Sequence, residues 1–194
     1  MARTRGEKQL KRKIFIFTEG KTEKVYFDSL RQPLSLANAK IKALEMNSTG
    51  IDLLHKALSQ MKHNPGFERD DQTDVFLIFD KDDLTEENFK KLSKKAKDEK
   101  IEIGFSNINF EVWLLAHFEP LTTKIQAGNM LKQKLTKHLA RPYQKADPKQ
   151  LERMASNYKI AIENTKAVSN IDFHKQSTNI GVRIQQLKSL NRYQ

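Results

Sequence analysis

The chain has 194 residues, enough for one domain with a sizeable core, and 30% of them are charged. Cysteine is absent, which excludes a disulfide framework, a thiol nucleophile and a zinc-thiolate site, and fits a reducing cytoplasm. The formal net charge of +11 is unevenly spread: residues 1–13 carry six Lys or Arg against one Glu, and residues 124–153 carry eight against two acids. Two such clusters point to a polyanionic partner, nucleic acid first, where an even scatter would mean only solubility.

The basic start is followed by four apolar residues, too few for a signal peptide, and no run approaches membrane-spanning length. A cytoplasmic protein with no membrane partner is therefore expected. Ile14–Phe17 is a short apolar run of β-favouring residues and reads as a buried strand. After Gly20, the spacing of Val25, Tyr26, Phe27 and Leu30 predicts a helix that ends before Pro33. Ile41–Met46 reads as a second strand. Thr49-Gly50 then opens a helix on Ile51, Leu54, Leu58 and Met61, which stops before Asn64-Pro65-Gly66.

Val75–Phe79 is the clearest strand, ended by Asp80-Lys81-Asp82-Asp83. Thr85 begins a helix with Glu86 and Glu87 in its first turn and lysines towards its end, matching the helix dipole. Ile101–Phe105 is a further strand and Phe110–Phe118 an apolar helix. This alternation predicts parallel βαβ units, hence an α/β fold whose sheet is covered on both faces. Beyond Pro120 the segments 124–139, 148–169 and 180–190 read as helical, with no convincing strand. The expected organisation is an α/β core over 1–120 and a helical region over 121–194.

Gly20-Lys21-Thr22 after an apolar run invites a phosphate-loop reading. That motif needs a glycine five positions before Gly20, and Phe15 stands there inside a strand. The acids are more informative. Glu19 lies just past the first strand, and Asp80 and Asp82 just past Val75–Phe79. Ligands of open α/β sheets bind outside the carboxyl ends of the strands, so three carboxylates distant in sequence can converge there. Asp80 and Asp82, two apart in an extended segment, would point the same way. Hard oxygen ligands at one edge suit Mg²⁺ or Mn²⁺. Each acid alone has a simpler reading as a turn or cap residue; the joint pattern carries the chemistry.

These motifs resemble a known family. "TEG" after one strand and "FDKDD" after another resemble the Toprim domain of topoisomerases, primases and OLD-type nucleases. With "IFTEGKTEKVYFDSL", "IGFSNINFEVWLLAHFE" and the late "STNIGVRIQQL", the ordered set resembles the RloB family. Members are Toprim-like proteins of bacterial restriction and abortive-infection loci, often encoded beside an ATPase. The resemblance implies a Toprim-like fold and a nuclease acting on DNA or RNA in phage defence. Glu19 would be the general base or acid, and Asp80 and Asp82 the pair that binds Mg²⁺, with Asp83 substituting for or assisting a neighbour. The late segment departs from the family pattern, with Lys-Gln in place of a proline before Ser177-Thr178. Nucleotidyl transfer and a non-catalytic subunit working with an ATPase are the alternatives.

Glu111 opens the Phe110–Phe118 helix near the same edge, either as an acid favoured by the dipole or as part of a metal site. Ser106, Asn107 and Asn109 read as caps of that helix. Lys21 lies near helix-start amides and suits either a phosphate or water. Lys132, Lys134, Lys137, Arg141 and Lys145, with Tyr143 among them, form the best candidate face for single-stranded nucleic acid. The five histidines show no metal spacing and take no role.

Overall fold

The computed structural model describes residues 12–35 and 39–190. Of the basic cluster at 1–13, only Arg12 and Lys13 fall within the described residues. The runs read as strands become β1 (Arg12–Thr18), β2 (Ala39–Glu45), β3 (Thr73–Asp80) and β4 (Ile101–Asn107). They form one sheet in the order β2-β1-β3-β4, all parallel, because each return passes through a crossing helix.

The two-residue period of the strands divides the core. Ile14, Ile16, Phe76 and Ile78 face one side, whereas Phe15, Phe17, Val75, Leu77 and Phe79 face the other. On the first side α1 (Lys21–Ser29) lays Tyr26 and Phe27 on the isoleucines. On the second, α2 (Gly50–His63) and α3 (Glu86–Asp98) contribute Leu53, Leu54, Ala57, Leu92 and Ala96. The chain thus leaves β1 over one face and β2 over the other. That reversal opens a crevice at the carboxyl ends of β1 and β3, the place where open α/β sheets bind ligands.

Residues beyond Pro120 are mostly helical but not wholly so. Helices α4 (Glu111–Leu115), α5 (Gly128–Leu139), α6 (Pro148–Ser156), α7 (Tyr158–Asn164) and α8 (Ile180–Ser189) all bury residues in the core on the α1 side. The expectation of no strand there fails at β5 (Ser177–Thr178), which pairs antiparallel with β4 and completes a five-stranded sheet. Two residues carry too little pattern to read as a strand. Their continuation, Asn179, extends the pairing with its side chain: its Oδ1 accepts from the Phe105 N–H at 2.7 Å, and its Nδ2 donates to the Ile103 carbonyl at 2.9 Å.

Close approach sets one glycine. A Cβ at Gly104 would lie 2.5 Å from Ile78 Cδ1 and 3.0 Å from Ile180 Cδ1, so only glycine lets α8 rest on β4. His117 is a core residue rather than a site residue. Its Nδ1 lies 3.2 and 3.1 Å from the Trp113 and Leu114 carbonyls and so carries the proton, leaving Nε2 to accept from the Tyr26 hydroxyl at 3.0 Å. Burial pushes its pKa down to about 4, and it stays neutral.

The Asn179→Ala variant should lose about 1–3 kcal/mol of stability, because the buried Phe105 N–H has no substitute partner while Ile103 retains Arg183. A lowered urea midpoint with unchanged slope is the expected result.

Candidate active site

Where β1 stops, the Glu19 backbone remains tied into the sheet edge. Its N–H donates to the Ile78 carbonyl at 3.0 Å and its carbonyl accepts from Asn47 N–H at 3.0 Å. The side chain is therefore delivered between the ends of β1 and β3. There Oε2 accepts from the Asp80 N–H at 3.1 Å. Asp80 is fixed in turn, its Oδ2 accepting from the Phe110 N–H at the start of α4 at 2.9 Å. Its other oxygen, Oδ1, is closed off from solvent and has no hydrogen-bond partner among the described residues.

Asp82 reaches the same place by another route than strand alternation. Extended backbone ends at Asp80, and Asp82 sits in the left-handed region at φ +36°, which Asp tolerates better than most side chains. Its exposed carboxylate adds repulsion to Glu19. Asp83, also exposed, lines a cleft with Asp82 between α2 and α3.

Glu23 is the residue that sequence reading missed. One helical turn beyond Glu19, it is 6% exposed and sits among carboxylates. Lys21 and Lys24 on either side make the stretch look like a solvated helix face. The signal lay in its spacing, since Glu23, Tyr26, Phe27 and Leu30 form one stripe of α1 and the other three are buried apolar. A carboxylate on an apolar stripe needs a reason to be there.

Glu111, 2% exposed, closes the far side of the group. Its Oε1 accepts from the Tyr143 hydroxyl at 3.3 Å and lies 3.8 Å from Lys145 Nζ. Both partners come from the loop between α5 and α6, which the Gln150 side chain pins by contacts to Pro142 and Gln144. Tyr143 and Lys145 are thus turned towards the acids and away from the outward basic face. Lys134 pairs with Glu119 at 2.6 Å, and Lys132, Lys137 and Arg141 are exposed. Lys21 is exposed at the start of α1, and Lys24 pairs with Asp28 at 2.7 Å. Ser106 and Asn107 do not cap α4. Ser106 shares a hydrogen bond with Thr178 at 3.0 Å, and Asn107 Nδ2 donates to the Asp172 and Lys175 carbonyls. The helix starts at Phe110 with no side-chain cap.

The electrostatic consequence is a group of acids that hold protons too tightly. Burial, then repulsion from Asp82 and Glu23, raises the Glu19 pKa from 4.5 to about 7, against the lowering effect of the Asp80 N–H. Burial and the charges of Glu23, Glu19 and Asp82 raise Asp80 well above the usual carboxylate range. Burial and Glu111 raise Glu23, which Lys145 partly offsets. Burial followed by the charge of Glu111 raises Tyr143, whose hydroxyl stays protonated.

Among the described residues, no three His, Asp or Glu side chains are gathered tightly enough to hold a metal as they stand. The donor set nonetheless fits a hard divalent cation: all its ligands are oxygens, one is orphaned, and the repulsion among them would be relieved by positive charge.

Residues 14–187 match a family model described as RloB-like protein. The chain belongs to this RloB-like family. The match spans β1 to α8 and so includes every acid of the group, Tyr143 and Lys145, and the Asn179 edge contact. No curated protein and no solved structure matches the chain. Among the described residues no helix is long and apolar enough to cross a membrane.

The raised Glu19 pKa makes stability depend on pH. The folded chain holds this proton more tightly than the unfolded one, so its contribution is full below about 4.5 and is lost as pH rises through about 7. Asp80 and Glu23 act in the same sense. In metal-free buffer the thermal midpoint should fall between pH 5 and pH 8, and Glu19→Gln should flatten part of that slope. A midpoint independent of pH would show that these acids are not held protonated in the folded chain.

Proposed function

We propose that the chain is a metal-dependent phosphodiesterase of the Toprim type that cleaves nucleic acid. The observation that carries this reading is the half-buried Asp80 carboxyl, one oxygen of which is closed off from solvent and unpartnered among the described residues, beside Glu19 and Glu23. Ionising a carboxyl so placed is costly unless a cation completes the site. Asp80 and Asp82, with Glu19, would hold Mg²⁺ or Mn²⁺, and Glu23 and Glu111 would add oxygens from the enclosed side. Bound there, the metal would supply positive charge against the oxygens of a scissile phosphate.

The protein's own groups take the remaining parts. The Glu19 carboxyl stands between the ends of β1 and β3 beside Asp80 and Asp82, which suits it to general acid–base work on the attacking or leaving oxygen. The Asp80 N–H fixes that side chain in position. Lys145 and the Tyr143 hydroxyl hold Glu111 and keep the enclosed side from opening. The exposed Lys132, Lys137 and Arg141 would meet the phosphate backbone away from the acids. Water is the nucleophile in this reading. Tyr143, the one tyrosine at the group, has its hydroxyl on Glu111 and its pKa raised, the opposite of an activated nucleophile. Kinship with the RloB-like family supports a cytoplasmic role in phage defence beside an ATPase partner.

Incubation of the chain with labelled DNA and RNA should give strand scission that depends on Mg²⁺ or Mn²⁺. Glu19→Gln and Asp80→Asn should each reduce the rate at least about 100-fold, the scale of a lost acid–base or metal-holding group. Scission that survives both substitutions together would sink the mechanism. Adding Mg²⁺ at pH 8 should also raise the thermal midpoint of the unaltered chain, and Asp80→Asn should abolish that rise.

A further inference from the structure

The carboxylates are not equally accessible, and their exposure has a direction. Glu111 and Glu23 are 2% and 6% exposed and lie beneath the loop that carries Tyr143 and Lys145. Asp82, on the opposite side, is exposed and forms part of the wall of a cleft between α2 and α3. The cleft encloses about 510 Å³, within the range of small-molecule sites, and Gly50, Ile51, Leu84, Asn88 and Lys91 also line it. Anything that reaches the acids from this side passes over it.

Its lining is mixed in a particular way. Ile51 is 40% exposed on the first turn of α2, opposite a half-buried Leu84. The Asn88 side-chain amide has no partner among the described residues, since only its backbone N–H is engaged, by the Thr85 hydroxyl. The Thr49 hydroxyl does not cap α2. Gly50 keeps the space open. It adopts φ +56°, and a Cβ there would lie 3.3 Å from Leu84 Cδ1. Two aliphatic walls with free amide and hydroxyl groups suit a flat heteroaromatic ring, and since Asp82 and Asp83 also line the cleft against the single Lys91, a phosphate attached to that ring would need a cation beside it.

We propose that this cleft binds one unpaired nucleotide, its base between Ile51 and Leu84 and its edge on Asn88, with its phosphate on the divalent cation that Asp82 would help to hold. The inference rests on the phosphodiesterase reading and narrows its substrate to nucleic acid with unstacked bases. In a duplex both faces and the pairing edge of a base are occupied, so a cleft of this size admits a base only once it has left the stack. The aliphatic walls read no base-specific pattern, so any preference among bases comes from the Asn88 amide at the edge.

Nucleoside 5′-monophosphates, which contain no internucleotide bond to cut, separate the cleft from the chemistry. In an NMR titration of the full chain with Mg²⁺, resonances of Gly50, Ile51, Leu84 and Asn88 should shift with nucleotide and not with inorganic phosphate alone. Ile51→Ser combined with Asn88→Ala, both at exposed positions, should weaken nucleotide binding at least 5-fold and leave the thermal midpoint unchanged. No shift in the cleft at millimolar nucleotide, equal shifts with phosphate, or unaltered affinity in the double variant would each overturn the inference. Nucleotide binding in a chain that cuts no nucleic acid would uphold the cleft and refute the phosphodiesterase. Scission with an unperturbed cleft would do the reverse.

Discussion

Repulsion among carboxylates at the ends of β1 and β3 is the constraint on which the rest of the structure turns. Glu19 and Glu23, Asp80 and Asp82, and Glu111 come from three separate stretches of chain, and each acid would be better solvated apart. They are held together by backbone. The Asp80 N–H holds Glu19, and the N–H of Phe110, the residue before Glu111, holds Asp80. Main-chain donors cannot move without breaking the parallel sheet or unwinding the start of α4. The fold's core energy thus stands behind an arrangement that is unfavourable in itself.

The region beyond Pro120 has two parts in this arrangement. Its helices cover the α1 face of the sheet, which buries Glu23 and Glu111 and gives their charges their force. Its α5–α6 loop then supplies Lys145 and the Tyr143 hydroxyl, a cation and a donor at the most enclosed acid. Farther along, β5 and Asn179 finish the outer edge of β4 at its carboxyl end, which leads into α4 and so to Asp80. The acids on the α2–α3 side receive no such cover, and that asymmetry leaves one open approach.

The α/β order was legible because buried parallel strands are uniform apolar runs, as Ile14–Phe17 and Val75–Phe79 are, while Ile101–Phe105 keeps its apolar residues at alternate positions. Glu19, Asp80 and Asp82 were legible as a set because acids at strand ends mark the ligand-binding edge. Glu23 was hidden by neighbouring lysines, although its place on the apolar stripe of α1 was readable. The basic run of 132–145 illustrates the opposite limit. Its charges look alike in one dimension, yet Lys134 pairs with Glu119 and Lys145 turns to Glu111, partners that only the packing of α5 on α4 brings near.

The sequence by itself determined the layered α/β plan, the strand ends at which acids cluster, and the failure of Gly20-Lys21-Thr22 as a phosphate loop. These follow from local pattern, since apolar periodicity and the residue five positions before Gly20 are written along the chain. Tertiary structure alone decided which carboxylates are buried, which proton is held near neutral pH, and which side of the group stays open. Those properties depend on desolvation and on distances between charges. Both are set by segments far apart in the chain, and no local pattern encodes them.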